Sequence, residues 1–152
     1  MSRIIIRPAR PADTPTIVRS NIALADESEA LRLDPKTVEA GVRRIFSNPA
    51  LGRYFLAVSA SGERLGQLMV TTEWSDWRNC MIWWLQSVYT IPEHRGQGVF
   101  RALCDHVLGE ARGAECRVRL YVERGNAKAI AAYRALGFRG SGYDVMEHEV
   151  AG

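Results

Sequence analysis

The stretch Val88-Tyr89-Thr90-Ile91-Pro92-Glu93-His94-Arg95-Gly96-Gln97-Gly98-Val99-Phe100 leads from an apolar strand through two glycines into a helix. Gly96 and Gly98 have a φ freedom that other residues lack, so this turn can bring backbone close to a ligand. The first N–H groups of the helix have no intrahelical acceptor. With the positive end of the helix dipole they make a cradle for an anion such as a pyrophosphate. Arg95 adds a charged donor. Position 101 is Arg, so the third glycine of the dinucleotide fingerprint is missing. The Gly-Lys-Ser/Thr of a P-loop is absent too, which argues against a Mg²⁺-bound nucleoside triphosphate. A Gly-x-Gly alone is also a common tight turn, so the rest of the chain decides.

Upstream, the run Met81 to Ile91 is rich in β-branched and aromatic residues, as expected for a strand buried on both faces. Downstream, a helix is expected from about Gln97 to Arg112, with Phe100, Leu103, Val107, Leu108 and Ala111 on one face. Val118 to Val122 reads as a strand, Asn126 to Leu136 as a helix ended by Gly137, and Tyr143 to Val150 as a closing strand. Toward the N-terminus, Ile4 to Arg7 forms a short strand. A helix follows with Asp13 as cap, Pro15 in its first turn and Ile17, Val18, Ile22 and Ala25 at helical spacing. A second helix has Asp34 as cap and Pro35 first, carries Val38, Val42, Ile45 and Phe46, and stops at Asn48-Pro49. Tyr54 to Val58 and Leu65 to Thr71 flank Ser61-Gly62 as a hairpin. The order β-α-α-β-β-β-α-β-α-β gives a mixed sheet covered by helices, in one α/β (α+β) domain over residues 1–152.

Composition fits a single globular domain. Of 152 residues, 47% are apolar and 24% charged. No apolar run approaches the roughly 20 residues that span a bilayer, so no membrane association is expected. The net charge is +3, from 20 basic and 17 acidic residues. The basic residues do not cluster with aromatics, which argues against a nucleic-acid partner. Their densest group is Arg95, Arg101, Arg112, Arg117, Arg119 and Arg124. Cys80, Cys104 and Cys116 lack metal spacing and are expected as reduced thiols of a cytoplasmic protein.

A second segment joins the glycine turn. Leu120-Tyr121-Val122-Glu123 leads to Asn126, Ala129, Ile130 and Tyr133, then to Leu136-Gly137-Phe138. Together the two segments, within residues 85–140, resemble the GCN5-related N-acetyltransferase (GNAT) family. Arg95-Gly96-Gln97-Gly98 matches its pyrophosphate loop. Asn126, followed seven residues later by Tyr133 and then by Gly137-Phe138, matches its second cofactor-binding segment. Phe100 departs from the pattern, which has a small residue there, and its ring is not counted as a cofactor contact.

The resemblance implies a central mixed, mostly antiparallel sheet flanked by helices. It also implies direct acetyl transfer from acetyl-CoA to an amine in a ternary complex, without a metal. Backbone of Val88, Tyr89 and Thr90 would pair with the pantetheine arm, and an N–H there would polarise the thioester carbonyl. Arg95, Gly96, Gln97, Gly98, Val99, Asn126 and Tyr133 complete the implied cofactor site. Tyr133 stands at the family's general-acid position, and a phenol of pKa about 10 is protonated at neutral pH.

The run Met81 to Ile91 lacks the acid that many members use as base, and Gln86 is its only amide. Glu73 is the first candidate base and Glu27, in Asp26-Glu27-Ser28-Glu29, the second. Glu73, Trp74, Asp76 and Trp77 share one turn, so an acidic, aromatic acceptor site with Trp74 and Glu27 would favour a cationic amine. Each of these residues also has an ordinary use, the tryptophans in packing and the carboxylates in water. The alternative function is a non-catalytic acyl-CoA sensor or interaction module, which would not require Tyr133. Acceptor identity, acyl length and oligomeric state, a homodimer included, stay open.

Overall fold

The apolar run ahead of the glycine turn forms β4 (Cys80–Thr90), which the sheet holds from both sides. Ile82 and Trp83, successive residues pointing to opposite faces, are both buried. The computed structural model describes residues 3–113 and 115–151, apart from the side chains of 115 and 116. β1 (Ile4–Pro8), β2 (Arg53–Ser59) and β3 (Arg64–Ser75) precede β4, and β5 (Glu115–Leu120) follows it. Their spatial order is their chain order. All neighbours are antiparallel except β4 and β5, which are parallel and joined by α3 (Val99–Ala111).

α1 (Thr14–Glu29) and α2 (Pro35–Ser47) cover one face of the sheet. There Ile17 and Val42 pack on Tyr54, Leu56 and Val58. Residues opposite one another on paired strands share a face, so Phe55, Leu68, Val70 and Leu85 line the other one. α3 packs on that side, with His106 against Phe55. Its buried residues are Val99, Leu103, Cys104, Val107 and Ala111. The apolar stripe is therefore rotated from the expected one: Val99 takes the buried place and Phe100 is half-buried.

The chain divides into two compact units, Met1–Tyr121, which holds the sheet and α1 to α3, and Val122–Gly152. The second carries α4 (Ala127–Ala135). Asn126 caps α4, its Oδ1 accepting the Ala129 N–H at 3.1 Å. Among the described residues no helix is long and apolar enough to cross a membrane.

Three expectations need correction. Residues 143–150 form no strand, and Tyr143, Val145, Met146 and Val150 are exposed. Strand propensity alone does not make a strand. Asp13 sits at the N-cap of α1 but does not cap it. Its carboxylate, 1% exposed, instead accepts from the Arg10 N–H at 2.7 Å, Arg7 Nη1 at 2.8 Å and Arg64 Nε at 2.8 Å. Burial alone would raise its pKa. The bonds from Arg7, the Arg10 N–H and Arg64 outweigh burial and hold it well below the usual carboxylate range. Finally, Cys104 is a free buried thiol but Cys80 is disulfide-bonded, so reduced cysteines no longer argue for a reducing compartment. The Cys116 side chain lies outside the described residues.

Candidate active site

The glycine turn is built for an anion. Gly96 and Gly98 have φ of +78° and +82°, a left-handed conformation that strains other residues. Gly98 is the N-cap of α3, and no side chain caps that helix. A Cβ on either glycine would meet nothing within 4 Å, so the concavity is open. The Val99 side chain is buried, and a Cβ on Gly66 of β3 would come within 2.8 Å of its Cγ1. Only the backbone of Val99 is therefore available to a ligand. An uncapped helix N-terminus behind two left-handed glycines fits a pyrophosphate.

Arg95 lies beside this turn, with Nε donating to Thr90 O at 3.0 Å and Nη2 to Glu27 Oε2 at 2.9 Å. Its guanidinium is 5.3 Å from the centre of the Tyr89 ring, and Tyr89 Oη donates to Glu27 Oε1 at 3.3 Å. Burial and then the Glu27 charge raise the Tyr89 pKa, keeping it a neutral donor.

β4 opens beside the turn. Its pairing with β5 ends at Leu85 and Leu120. Its register with β3 shifts between Gln67 and Met69, where Ser87 has φ of +52°. Val88, Tyr89 and Thr90 thus keep β3 on one side and have no described strand on the other. That free edge can pair with an extended ligand as an added strand would.

On the α1 and α2 side of the same opening lies a cavity of about 530 Å³. Its walls include Leu24, Leu31, Leu33, Val38 and Ile45; Asn21, Tyr54 and Ser87 add polar groups, and Glu29 a carboxylate. Gln67 Nε2 donates to Asn21 Oδ1 at 2.8 Å and to Ser87 O at 3.1 Å. Asn21 Nδ2 donates to Tyr54 Oη at 3.0 Å, which also bonds the Ser87 side chain. Burial raises the Tyr54 pKa against these bonds, so the phenol stays neutral.

Neither Glu27, Glu73 nor Trp74 lines this cavity. Glu73 accepts from Trp84 Nε1 at 2.8 Å and meets Arg119 at 4.0 Å. It shares a sheet face with Met69 of the cavity wall but stands four residues along β3, roughly 13 Å away. Thr71 lies between them on that face, its Oγ1 accepting at 2.7 Å from Nε2 of Gln86, which stands opposite Met69. Trp74 and Trp77 are exposed, while Trp83 packs under Arg53 and Trp84 stacks on Tyr121 at 4.6 Å. Asn126 and Tyr133 belong to the Val122–Gly152 unit, two turns apart on one face of α4. Tyr133 lies edge-on to Phe138 at 6.0 Å. The structure therefore gathers Glu27, Tyr89 and Arg95 at the glycine turn and sets Glu73 apart with Trp84 and Arg119. Asn21, Tyr54, Gln67 and Ser87 were not singled out from sequence. The one signal was Gln67, an amide inside the apolar run Leu65-Gly66-Gln67-Leu68-Met69-Val70. Among the described residues no group of three or more His, Cys, Asp or Glu is placed to hold a metal.

Comparison with known proteins agrees with this geometry. The acetyltransferase (GNAT) family model matches residues 21–138. Streptothricin acetyltransferase of Streptomyces lavendulae is 37% identical over 94 residues, 60% of this chain and 47% of that enzyme. The chain thus matches about half the length of that relative. Thialysine N-epsilon-acetyltransferase of Sus scrofa is 32% identical over 91% of this chain and 86% of its own. The crystal structure of a "possible acetyltransferase" from Clostridium difficile 630 superposes with a TM-score of 0.92 at 35% identity, covering 98% of this chain and 99% of that one. With a glycine cradle, a splayed strand edge and relatives aligned over nine-tenths of its length, the chain belongs to the acetyltransferase (GNAT) family, enzymes that transfer an acetyl group to an amine.

Proposed function

We propose that the chain works as one domain that transfers the acetyl group of acetyl-CoA directly to an amine on an apolar stem. The observation that carries this reading is the adjacency, within the first unit, of the uncapped α3 N-terminus, the open edge of β4 and the cavity reaching Ser87. Gly96, Gln97 and Gly98 and the first turn of α3 hold the pyrophosphate, with Arg95 as the charged donor. Val88, Tyr89 and Thr90 hold the pantetheine arm, and an N–H of that edge polarises the thioester carbonyl. Asn126 and Tyr133 complete the cofactor site, and the Tyr133 phenol gives its proton to the departing thiolate.

The acceptor enters between α1 and α2. Leu24, Leu31, Leu33 and Val38 suit an aliphatic or otherwise apolar stem, and Glu29 attracts a cationic one. Asn21, Tyr54 and Ser87 are neutral, so they hold the nucleophilic nitrogen without favouring its protonated form. Glu73 stands roughly 13 Å along β3 from Met69 of the cavity wall and is held by Trp84 and Arg119, so the amine gives its proton to water in the cavity rather than to Glu73. Two relatives named for streptothricin and for the Nε of thialysine support an amine acceptor of this kind.

The test is thiol release from acetyl-CoA against a panel of primary amines graded by stem length and polarity. Turnover is expected with alkyl or aryl amines and should fall as polar groups are added along the stem. Tight acetyl-CoA binding with no turnover on any amine would contradict the proposal and favour a sensor.

A further inference from the structure

Gln67 is an amide in the middle of the apolar run Leu65-Gly66-Gln67-Leu68-Met69-Val70, and only 2% of it is exposed. Burying an amide is costly unless its polar atoms are paired. Nε2 donates twice, to Asn21 Oδ1 at 2.8 Å and to Ser87 O at 3.1 Å. Oε1 is buried and has no hydrogen-bond partner among the described residues. A methionine or leucine would fill the place without that orphaned acceptor. A buried group that breaks the local rule is expected where function requires it. Here the amide serves only as a double donor, to one acceptor on α1 and one on β4.

The β4 acceptor belongs to a bulge. Between the pairs Gln67–Tyr89 and Met69–Gln86 the strand β4 gains one residue, so Ser87 and Val88 together face Leu68. Among the described residues Ser87 is the one non-glycine within a strand that has a left-handed φ, +52°. Such a conformation persists only where its surroundings hold it. Gln67 holds Ser87 by its carbonyl, and Tyr54, itself bonded to Asn21, holds it by its side chain. The four residues close a ring across α1, β2, β3 and β4, all within the first unit. Asn21, Tyr54 and Ser87 of this ring face the cavity, and the free edge Val88 to Thr90 begins at the next residue. We propose that Gln67 is a positioning residue for acetyl transfer. By holding the Ser87 carbonyl it fixes the separation between the amine in the cavity and the thioester on the β4 edge, a role that rests on the acetyl-transfer reading above. Gln67 does not itself line the cavity, so it acts through Ser87 and Asn21. A misplacement of about 1 Å between reacting groups costs on the order of 10²-fold in rate.

The test is Gln67→Met, which keeps the length of the side chain and removes both donors. With the best amine of the panel, kcat should fall about tenfold or more. Acetyl-CoA affinity, read by calorimetry, should stay within about threefold, because the glycine turn is untouched. Circular dichroism checks that the variant is folded. A second measurement needs no variant and no turnover. In the unmodified chain, nuclear magnetic resonance follows the side-chain amide of Gln67 while acetyl-CoA is added. Its signals should shift and its protons exchange more slowly as the β4 edge is occupied. A folded Met variant with native kcat, an acetyl-CoA affinity that falls as far as kcat, or a Gln67 amide that ignores acetyl-CoA would each overturn the proposal. If the unmodified chain turns over no amine, the acetyl-transfer reading fails by that result alone. The Gln67 signals then still decide whether this amide is tied to the β4 edge.

Discussion

Arg95 and Glu27 stand 68 residues apart in the chain and 2.9 Å apart in space. The pair ties the glycine turn to the last turns of α1, which also borders the cavity. Both side chains are nearly half exposed, so the bridge contributes at most about 1 kcal/mol. Such a contact is easily exchanged when a stronger anion arrives. Glu27 then holds Arg95 in position and competes with the phosphate for it.

Glu27→Gln should therefore tighten CoA binding. Removing the competing carboxylate leaves Arg95 its full charge, and a gain of a few-fold is expected, within about 1 kcal/mol. Calorimetry at two salt concentrations checks this, with the gain shrinking at high salt. Weaker binding would mean that Glu27 matters by positioning Arg95.

Gly98→Val should weaken CoA binding about tenfold or more while the chain still folds. A Cβ there meets no neighbour, so the cost is the left-handed φ of +82°, roughly 1–2 kcal/mol, and the lost approach of backbone to phosphate. Titration of CoA into the variant measures it. An unchanged affinity would place the phosphate elsewhere.

The positions of the helices and of the glycine turn could be read from sequence because local chemistry sets them. Asp34 followed by Pro35 starts α2, with Asp34 accepting the Thr37 N–H at 3.2 Å. Gly98 must be where a left-handed N-cap stands. Long-range pairing could not be read in this way. Nothing local to Asp13 indicates Arg64, 51 residues away, which draws the carboxylate off the helix it would otherwise cap. Glu73 looks like a free carboxylate until Trp84 and Arg119 close on it from neighbouring strands. The cavity likewise depends on α1, α2, β2, β3 and β4 together, and no single segment of sequence contains it.

Asp13→Asn tests the buried cluster. The folded pKa of Asp13 lies below its unfolded value, so its stabilisation is present above about pH 4 and is lost as pH falls below that. The variant should be less stable at neutral pH and lose part of its acid sensitivity. Arg7 and Arg64 stay partly exposed, so a loss of about 1–3 kcal/mol is expected, below that for a fully buried pair. Urea unfolding at pH 7 and pH 3.5 checks it, the two proteins differing less at the lower pH.

Glu73→Gln should leave kcat, its pH dependence and acetyl-CoA affinity close to those of the unmodified chain, because the carboxylate stands roughly 13 Å from Met69 of the cavity wall. A pH–rate profile checks this, and a deficit in kcat at neutral pH that closes as pH rises would return the base role to Glu73.

The most direct measurement is Tyr133→Phe. The substitution keeps the ring and its contact with Phe138 and removes only the hydroxyl. If that hydroxyl protonates the departing thiolate, kcat should fall about 10²-fold, roughly 2.7 kcal/mol of barrier. Acetyl-CoA affinity should change little. Steady-state thiol release with the best amine of the panel reads the first quantity and calorimetry the second. A Phe variant that turns over as fast as the unmodified chain would contradict the account.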